Sequence, residues 1–207
     1  MQLDPEKTVV VATGNPHKLI EIETILAQVL PDMKFVALSD LGDFEDPVED
    51  GDDFFENACI KARAALEQTK MKYAIADDSG LMVDALKGKP GVMSARWAGV
   101  HGDDKANNEK LLADMEGVPE AKRTAHFHSS LVLIDDEGKV LHGQGNCAGK
   151  IGLVAHGDHG FGYDPLFWPD RAPGRTMAEL APEEKNSISH RYYALQDLAG
   201  KIRGIMK

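Results

Sequence analysis

Cysteine is scarce in this chain. Cys59 and Cys147 lie far apart, with no CxxC and no zinc-type spacing. A disulfide scaffold and a zinc ribbon are thereby excluded, and reduced thiols in a cytoplasmic protein are expected. Long apolar runs are missing too: none approaches the roughly 20 residues of a membrane span, so no membrane partner is expected. The opening MQLDPEKTVV has no basic stretch leading into an apolar one, so no secretory leader is expected. Basic charge is in deficit, with 23 Lys and Arg against 34 Asp and Glu and a net charge of −11. A nucleic acid polymer, whose binding rests on Lys and Arg contacts to phosphates, is therefore not an expected partner. Three familiar motifs are absent as well. Lys18 has neither the second glycine before it nor the Ser/Thr after it that a P-loop requires, GQGNCAG at 143–149 is not GxGxxG, and neither Ser79 nor Ser94 sits in GxSxG.

What remains is an ordinary globular composition, 43% hydrophobic and 28% charged, over 207 residues. One domain covering 1–207 is expected, possessing two lobes that share a sheet. The β-branched run Thr8–Thr13 predicts a buried strand ending at Gly14-Asn15-Pro16. Leu19, Ile22, Leu26 and Val29 then recur at helical spacing until Pro31. A strand is predicted over 34–38 and an acidic loop over 39–52. Asp53 caps a helix to about Thr69, with Phe55, Cys59, Ala62 and Leu66 inward. Strands are predicted over 73–77 and 81–85 on either side of a Ser-Gly turn, followed by a loop over 87–99. A helix is predicted over 103–115. Two alternating runs, 125–135 and 139–148, joined through Asp136-Glu137-Gly138, predict a hairpin. The segment 182–205 is predicted mainly helical. Strands alternating with helices, plus one hairpin, make an α/β fold with a mixed sheet.

Four segments carry the chemistry. In TGNPHK (13–18) a strand runs through a glycine turn into a helix, whose free N–H groups and dipole favour a phosphate. In AIADDSGL (74–81) an apolar strand delivers Asp77 and Asp78 side by side, where buried carboxylates repel each other and lose hydration. A cation must compensate, and Mg²⁺ suits one or two carboxylates plus phosphate oxygens; Glu49 or Asp50 of the acidic loop could join them. In FGYDPLF (161–167) a glycine permits close approach, and flat aromatics suit a flat base. In EKNSISHR (184–191) Ser189 reads as a cap, and Lys185, His190 and Arg191 gather near it, which an anionic ligand or a carboxylate partner would justify. The pairs His126/His128 and His156/His159 show only two potential metal ligands each. Each segment also has a plain structural reading as turn, cap or core; together they make a nucleoside triphosphate site.

In this combination the chain resembles the inosine/xanthosine triphosphate pyrophosphatase family. The matching blocks are ATGNPHKLIEI (12–22), FFENACIKARAA (54–65), ADDSGLMVDAL (76–86), KPGVMSARWAG (89–99), FGYDPLF (161–167) and TMAELAPEEKNSISHR (176–191), in family order. The resemblance implies an elongated mixed sheet flanked by helices, two lobes with the active site in the cleft, and a homodimer. It implies Mg²⁺-dependent hydrolysis of ITP, dITP and XTP to the monophosphate and pyrophosphate. Carried over by position, Thr13, Gly14, Asn15, Pro16, His17 and Lys18 hold the triphosphate. Asp78 is the catalytic carboxylate and a metal ligand, and Ser79 contacts substrate. Phe161, Gly162, Tyr163, Asp164, Lys185, His190 and Arg191 form the base pocket. The family's Glu-Glu pair before the loop glycine is here Val48-Glu49, which leaves Glu49 as the loop's metal ligand. A nucleotide sensor without turnover and a pyrophosphatase of other modified nucleotides are the alternatives.

Overall fold

The computed structural model describes residues 3–13 and 16–205, with backbone only at 16, 17 and 205. The strands are β1 (Thr8–Val11), β2 (Lys34–Ala37), β3 (Tyr73–Val83), β4 (Lys89–Pro90), β5 (Thr124–Asp135), β6 (Val140–Ile151) and β7 (Phe167–Pro169). The helices are α1 (Pro16–Leu26), α2 (Phe54–Thr69), α3 (Asp104–Asp114), α4 (Pro182–Ile188) and α5 (His190–Ile205). The strands form one mixed sheet in the order β2-β1-β3-β5-β6-β7, with β4 on β3. β1 pairs parallel with β2 and β3, whereas β4 on β3 and β7 on β6 are antiparallel. The α/β class with a mixed sheet read from the sequence is therefore the fold observed.

The chain divides into two compact units, one of residues 1–78, 129–145 and 193–207, the other of 79–128 and 146–192. In the first, strand alternation sorts the core onto two sides of the sheet. Val9, Val11 and Ile75 join Ile22 and Leu26 of α1 and Leu195 and Leu198 of α5. Val10, Ala74 and Ala76 join Ala58, Ala62 and Ala65 of α2. With apolar partners on both faces, every residue of β1 is buried. In the second unit Leu81, Val83, Leu111, Met115, Phe127, Ile151, Leu166 and Phe167 form a single core. Arg123 is buried there, donating to the carbonyls of Met115, Ile151 and Gly152, each at 2.9 Å. Those bonds satisfy one carbonyl at the C-terminal end of α3 and two at the end of β6.

Several sequence expectations need correction. Ser79-Gly80 is no turn: β3 runs unbroken from Tyr73 to Val83. The strand pairs with β1 over Tyr73–Ile75 and with β4 over Met82–Val83 and neighbours β5, and this pairing before and after Ser79-Gly80 outweighs the local turn preference. The 87–99 segment is not plain loop but holds β4 and a 3-10 helix over 91–96. The mainly helical 182–205 segment is observed as α4 and α5, and the expected cap at Ser189 is present: it is extended (φ −72°, ψ 154°) between them and accepts the Tyr192 N–H on Oγ at 3.1 Å. On α2 the buried phenylalanine is Phe54, with Phe55 and Leu66 only partly covered; Asp53 does cap the helix, accepting from Glu56 N at 2.8 Å.

Candidate functional site

In the first unit, β3 carries the two aspartates to opposite faces of the sheet, as alternation demands. Asp77 points to the α1 side. Its Oδ2 lies 3.0 Å from Lys18 Nζ and its Oδ1 accepts from Ser129 Oγ at 2.6 Å. Asp78 points to the α2 side, where Oδ1 accepts from Lys61 Nζ at 2.7 Å. Each carboxylate therefore has its own lysine, which is how adjacent charges coexist at this depth. Glu49 Oε2 approaches the same Lys61 Nζ at 3.6 Å, so Asp78 and Glu49 converge on one ammonium.

The electrostatics follow from burial. Desolvation pushes the Asp78 carboxyl above its ordinary pKa; Lys61 pulls it back, and Glu49 and Asp77 push it up again. Burial opposes the charge on Lys61, but Asp78, Glu49 and Asp77 together outweigh it, and the ammonium pKa is raised. Lys61 thus stays charged, and Asp78 is a stronger base than a solvated aspartate.

The acidic loop is pinned where it meets α2. Gly51 N–H donates to Asn57 Oδ1 at 2.9 Å, and Asp52 N–H to Glu56 Oε2 at 2.8 Å. A Cβ on Gly51 would sit 2.7 Å from Asn57 Oδ1, so only glycine fits this approach. Two residues before the pin, Glu49 faces Lys61, whereas Val48 is 78% exposed. Beside them a cavity of about 320 Å³ is lined by Ala12, Thr13, Glu49 and Lys61 together with the acidic loop. Thr13 and Lys18 bracket the start of α1. Gly14 and Asn15 lie outside the described residues, as do the side chains of Pro16 and His17.

The donor set fits a divalent cation of the hard, oxygen-seeking kind. Two carboxylates from separate segments already share one positive charge, and Mg²⁺ asks for one or two of them. Among the described residues no group of three or more His, Cys, Asp or Glu converges on one point, so the histidine pairs gain no third ligand.

In the second unit, Ser79 is half-buried on β3. The segment 161–164 is tied down residue by residue. Phe161 N–H donates to Asp164 Oδ2 at 3.0 Å, and Gly162 N–H to Asp104 Oδ2 at 2.7 Å. Tyr163 is buried and its hydroxyl donates to Ser94 O at 2.8 Å. Asp164 is buried in an ion pair with Lys185, whose Nζ also sits 4.6 Å from the Phe161 ring centroid. Within the basic cluster, Lys185 has its carboxylate partner in Asp164. Phe161 is 59% exposed. His190 stacks on Phe127, centroids 5.1 Å apart and planes at 18°, and Arg191 is buried at the start of α5.

Sequence reasoning missed Lys61, Asn57, Ser129 and the α3 contacts to Gly162. Lys61 had a signal. It lies on the stripe 57, 58, 61, 62, 65 of α2, otherwise small and apolar or buried, where a lysine needs a carboxylate partner.

Known proteins match nearly the whole chain. The sequence model of the Ham1 family matches residues 9–201. A dITP/XTP pyrophosphatase of Lactiplantibacillus plantarum is 49% identical, over 95% of this chain and 95% of that protein. One from Leifsonia xyli is 45% identical, over 96% and 97%. Among solved structures, the Staphylococcus aureus Ham1 protein superposes with a TM-score of 0.85 at 37% identity, covering 96% of this chain and 100% of that one. The Mycobacterium abscessus nucleoside-triphosphatase, a dITP/XTP pyrophosphatase, gives 0.77 at 44% identity, covering 92% and 97%. With the match spanning nearly all of its length, this chain belongs to the Ham1 family.

Proposed function

We propose that this protein hydrolyses the deaminated purine nucleoside triphosphates ITP, dITP and XTP to the monophosphate and pyrophosphate. The observation that carries the reading is identity of 43–49%, over more than nine-tenths of the chain, to proteins known as dITP/XTP pyrophosphatases. The residue roles form part of the proposal. Asp78 accepts a proton from the water that attacks the α-phosphorus. Lys18, Lys61 and the N–H groups at the start of α1 stabilise charge on the phosphates. Asp78 and Glu49 would hold Mg²⁺, which when bound neutralises phosphate charge and orients the chain for in-line attack. Phe161 offers its exposed face to the base, and Lys185, His190 and Arg191 supply donors around it. A donor aimed at the 6-oxo group would be left unpaired by adenine, which disfavours ATP.

A homodimer in the cytoplasm belongs to the same proposal. No described helix is long and apolar enough to cross a membrane. The test assays pyrophosphate and orthophosphate separately, with Mg²⁺ and ITP, XTP, GTP or ATP in parallel. Pyrophosphate from ITP and XTP, and its loss in Asp78→Asn, is expected. Orthophosphate alone would move the attack to the terminal phosphorus and overturn the reading.

A further inference from the structure

Two side chains of α3 hold both polar backbone groups of a single residue. Asp104 Oδ2 accepts from Gly162 N–H at 2.7 Å, and Asn108 Nδ2 donates to Gly162 O at 2.7 Å. Gly162 has φ +59°, the left-handed conformation that few other residues adopt. Its neighbour Phe161 is the exposed ring beside Lys185. A half-exposed aromatic on a glycine-rich segment would otherwise lose orientational freedom at the moment of binding.

The Asp104 carboxylate is not spent on its own helix. Asp103 is the N-cap of α3, accepting from Ala106 N at 3.0 Å. Asn108 is held at a visible disadvantage: its Oδ1 is buried with no hydrogen-bond partner among the described residues, while its Nδ2 serves Gly162 O and Asp104 O. A side chain chosen only for α3 would not leave that acceptor orphaned.

We propose that Asp104 and Asn108 are positioning residues for base recognition: they fix the backbone at Gly162 so that Phe161 presents its ring preformed. The inference rests on the proposed function, and within it on Phe161 being the surface against which the purine stacks. Neither α3 residue touches the base. Their contribution is to binding that the ground state and transition state share, so their loss raises KM and leaves kcat.

The experiment measures ITP hydrolysis by the full-length wild type, Phe161→Ala, Asp104→Ala, Asp104→Asn and the Asp104→Ala/Phe161→Ala pair, with thermal melts of each. Phe161→Ala is expected to raise KM roughly 5- to 150-fold, the span of base–aromatic stacking measured by alanine substitution. Asp104→Ala should raise KM at least about fivefold, with kcat within about twofold and the melt unchanged. Asp104→Asn keeps an acceptor for Gly162 N–H and should return KM close to wild type. The double variant should be no worse than Phe161→Ala alone, since both act through one ring. A wild-type KM in Asp104→Ala, a matching fall in kcat, or additive effects in the double variant would overturn the clamp. A wild type that makes no pyrophosphate from ITP or XTP would instead overturn the functional reading, and the clamp's role with it.

Discussion

Lys61→Met should expose how much the shared ammonium contributes. In the wild type Lys61 lies 2.7 Å from Asp78 and 3.6 Å from Glu49, with 16%, 12% and 30% of the Lys61, Asp78 and Glu49 side chains exposed. Removing one member of a buried ion pair strands the other charge and costs about 3–5 kcal/mol. Because Glu49 keeps some contact with water, the lower end, about 3 kcal/mol, is expected. For a chain of this size, about 2–4 °C per kcal/mol converts that into a melting point lower by roughly 6–12 °C. The double variant Lys61→Met/Asp78→Asn removes the stranded charge and should recover about half or more of the loss. The deficit also has a pH signature. Asp78 is raised above 3.8 in the folded state, so the fold binds that proton more tightly than the unfolded chain and loses stability as pH climbs through this interval. Without Lys61 the interval extends upward, so the Lys61→Met deficit should grow from acid to neutral pH. Urea unfolding at several pH values reads all three. A loss below about 1 kcal/mol, or a double variant as unstable as the summed single variants, would refute the argument that one cation holds both acids.

Asp78→Asn should lower kcat about 10²–10⁴-fold while ITP still binds, as checked by calorimetry. Lys61 is raised above 10.5, so its contribution is complete below that pH and is lost as pH rises through the folded value; Lys61→Met should abolish this alkaline fall in melting temperature. Arg123→Ala strands the carbonyls of Met115, Ile151 and Gly152 and should destabilise by about 3 kcal/mol or more in urea. Chelation with EDTA should stop pyrophosphate release, and Mg²⁺ should restore it. Mn²⁺ alone should bind Lys61→Met more tightly than wild type, because the ammonium no longer competes for Asp78 and Glu49.

Local patterns were legible wherever one segment decides its own structure. Asp53 caps α2, Ile22, Leu26 and Val29 face inward, and the 125–135 run pairs with the run after Gly138. Legibility failed where distant strands decide. Ser79-Gly80 has turn chemistry, and only the neighbours of β3 override it. The site shows the same division. The resemblance named Asp78 and Lys185, but the partners that explain their burial, Lys61 and Asp164, lie at sequence separations of 17 and 21. Asp77-Asp78 read as one acidic pair for one metal; alternation along an unbroken strand sends Asp77 to Lys18 and leaves Asp78 with Lys61 and Glu49. No sequence pattern announces Asp104 and Asn108, since their partner is a backbone more than fifty residues away.

The most direct test of the central claim is hydrolysis of ITP in ¹⁸O-labelled water, with mass spectrometry of both products. Water attack at the α-phosphorus predicts one ¹⁸O in the monophosphate and none in the pyrophosphate. Label in orthophosphate or pyrophosphate, with an unlabelled nucleotide product, would contradict it.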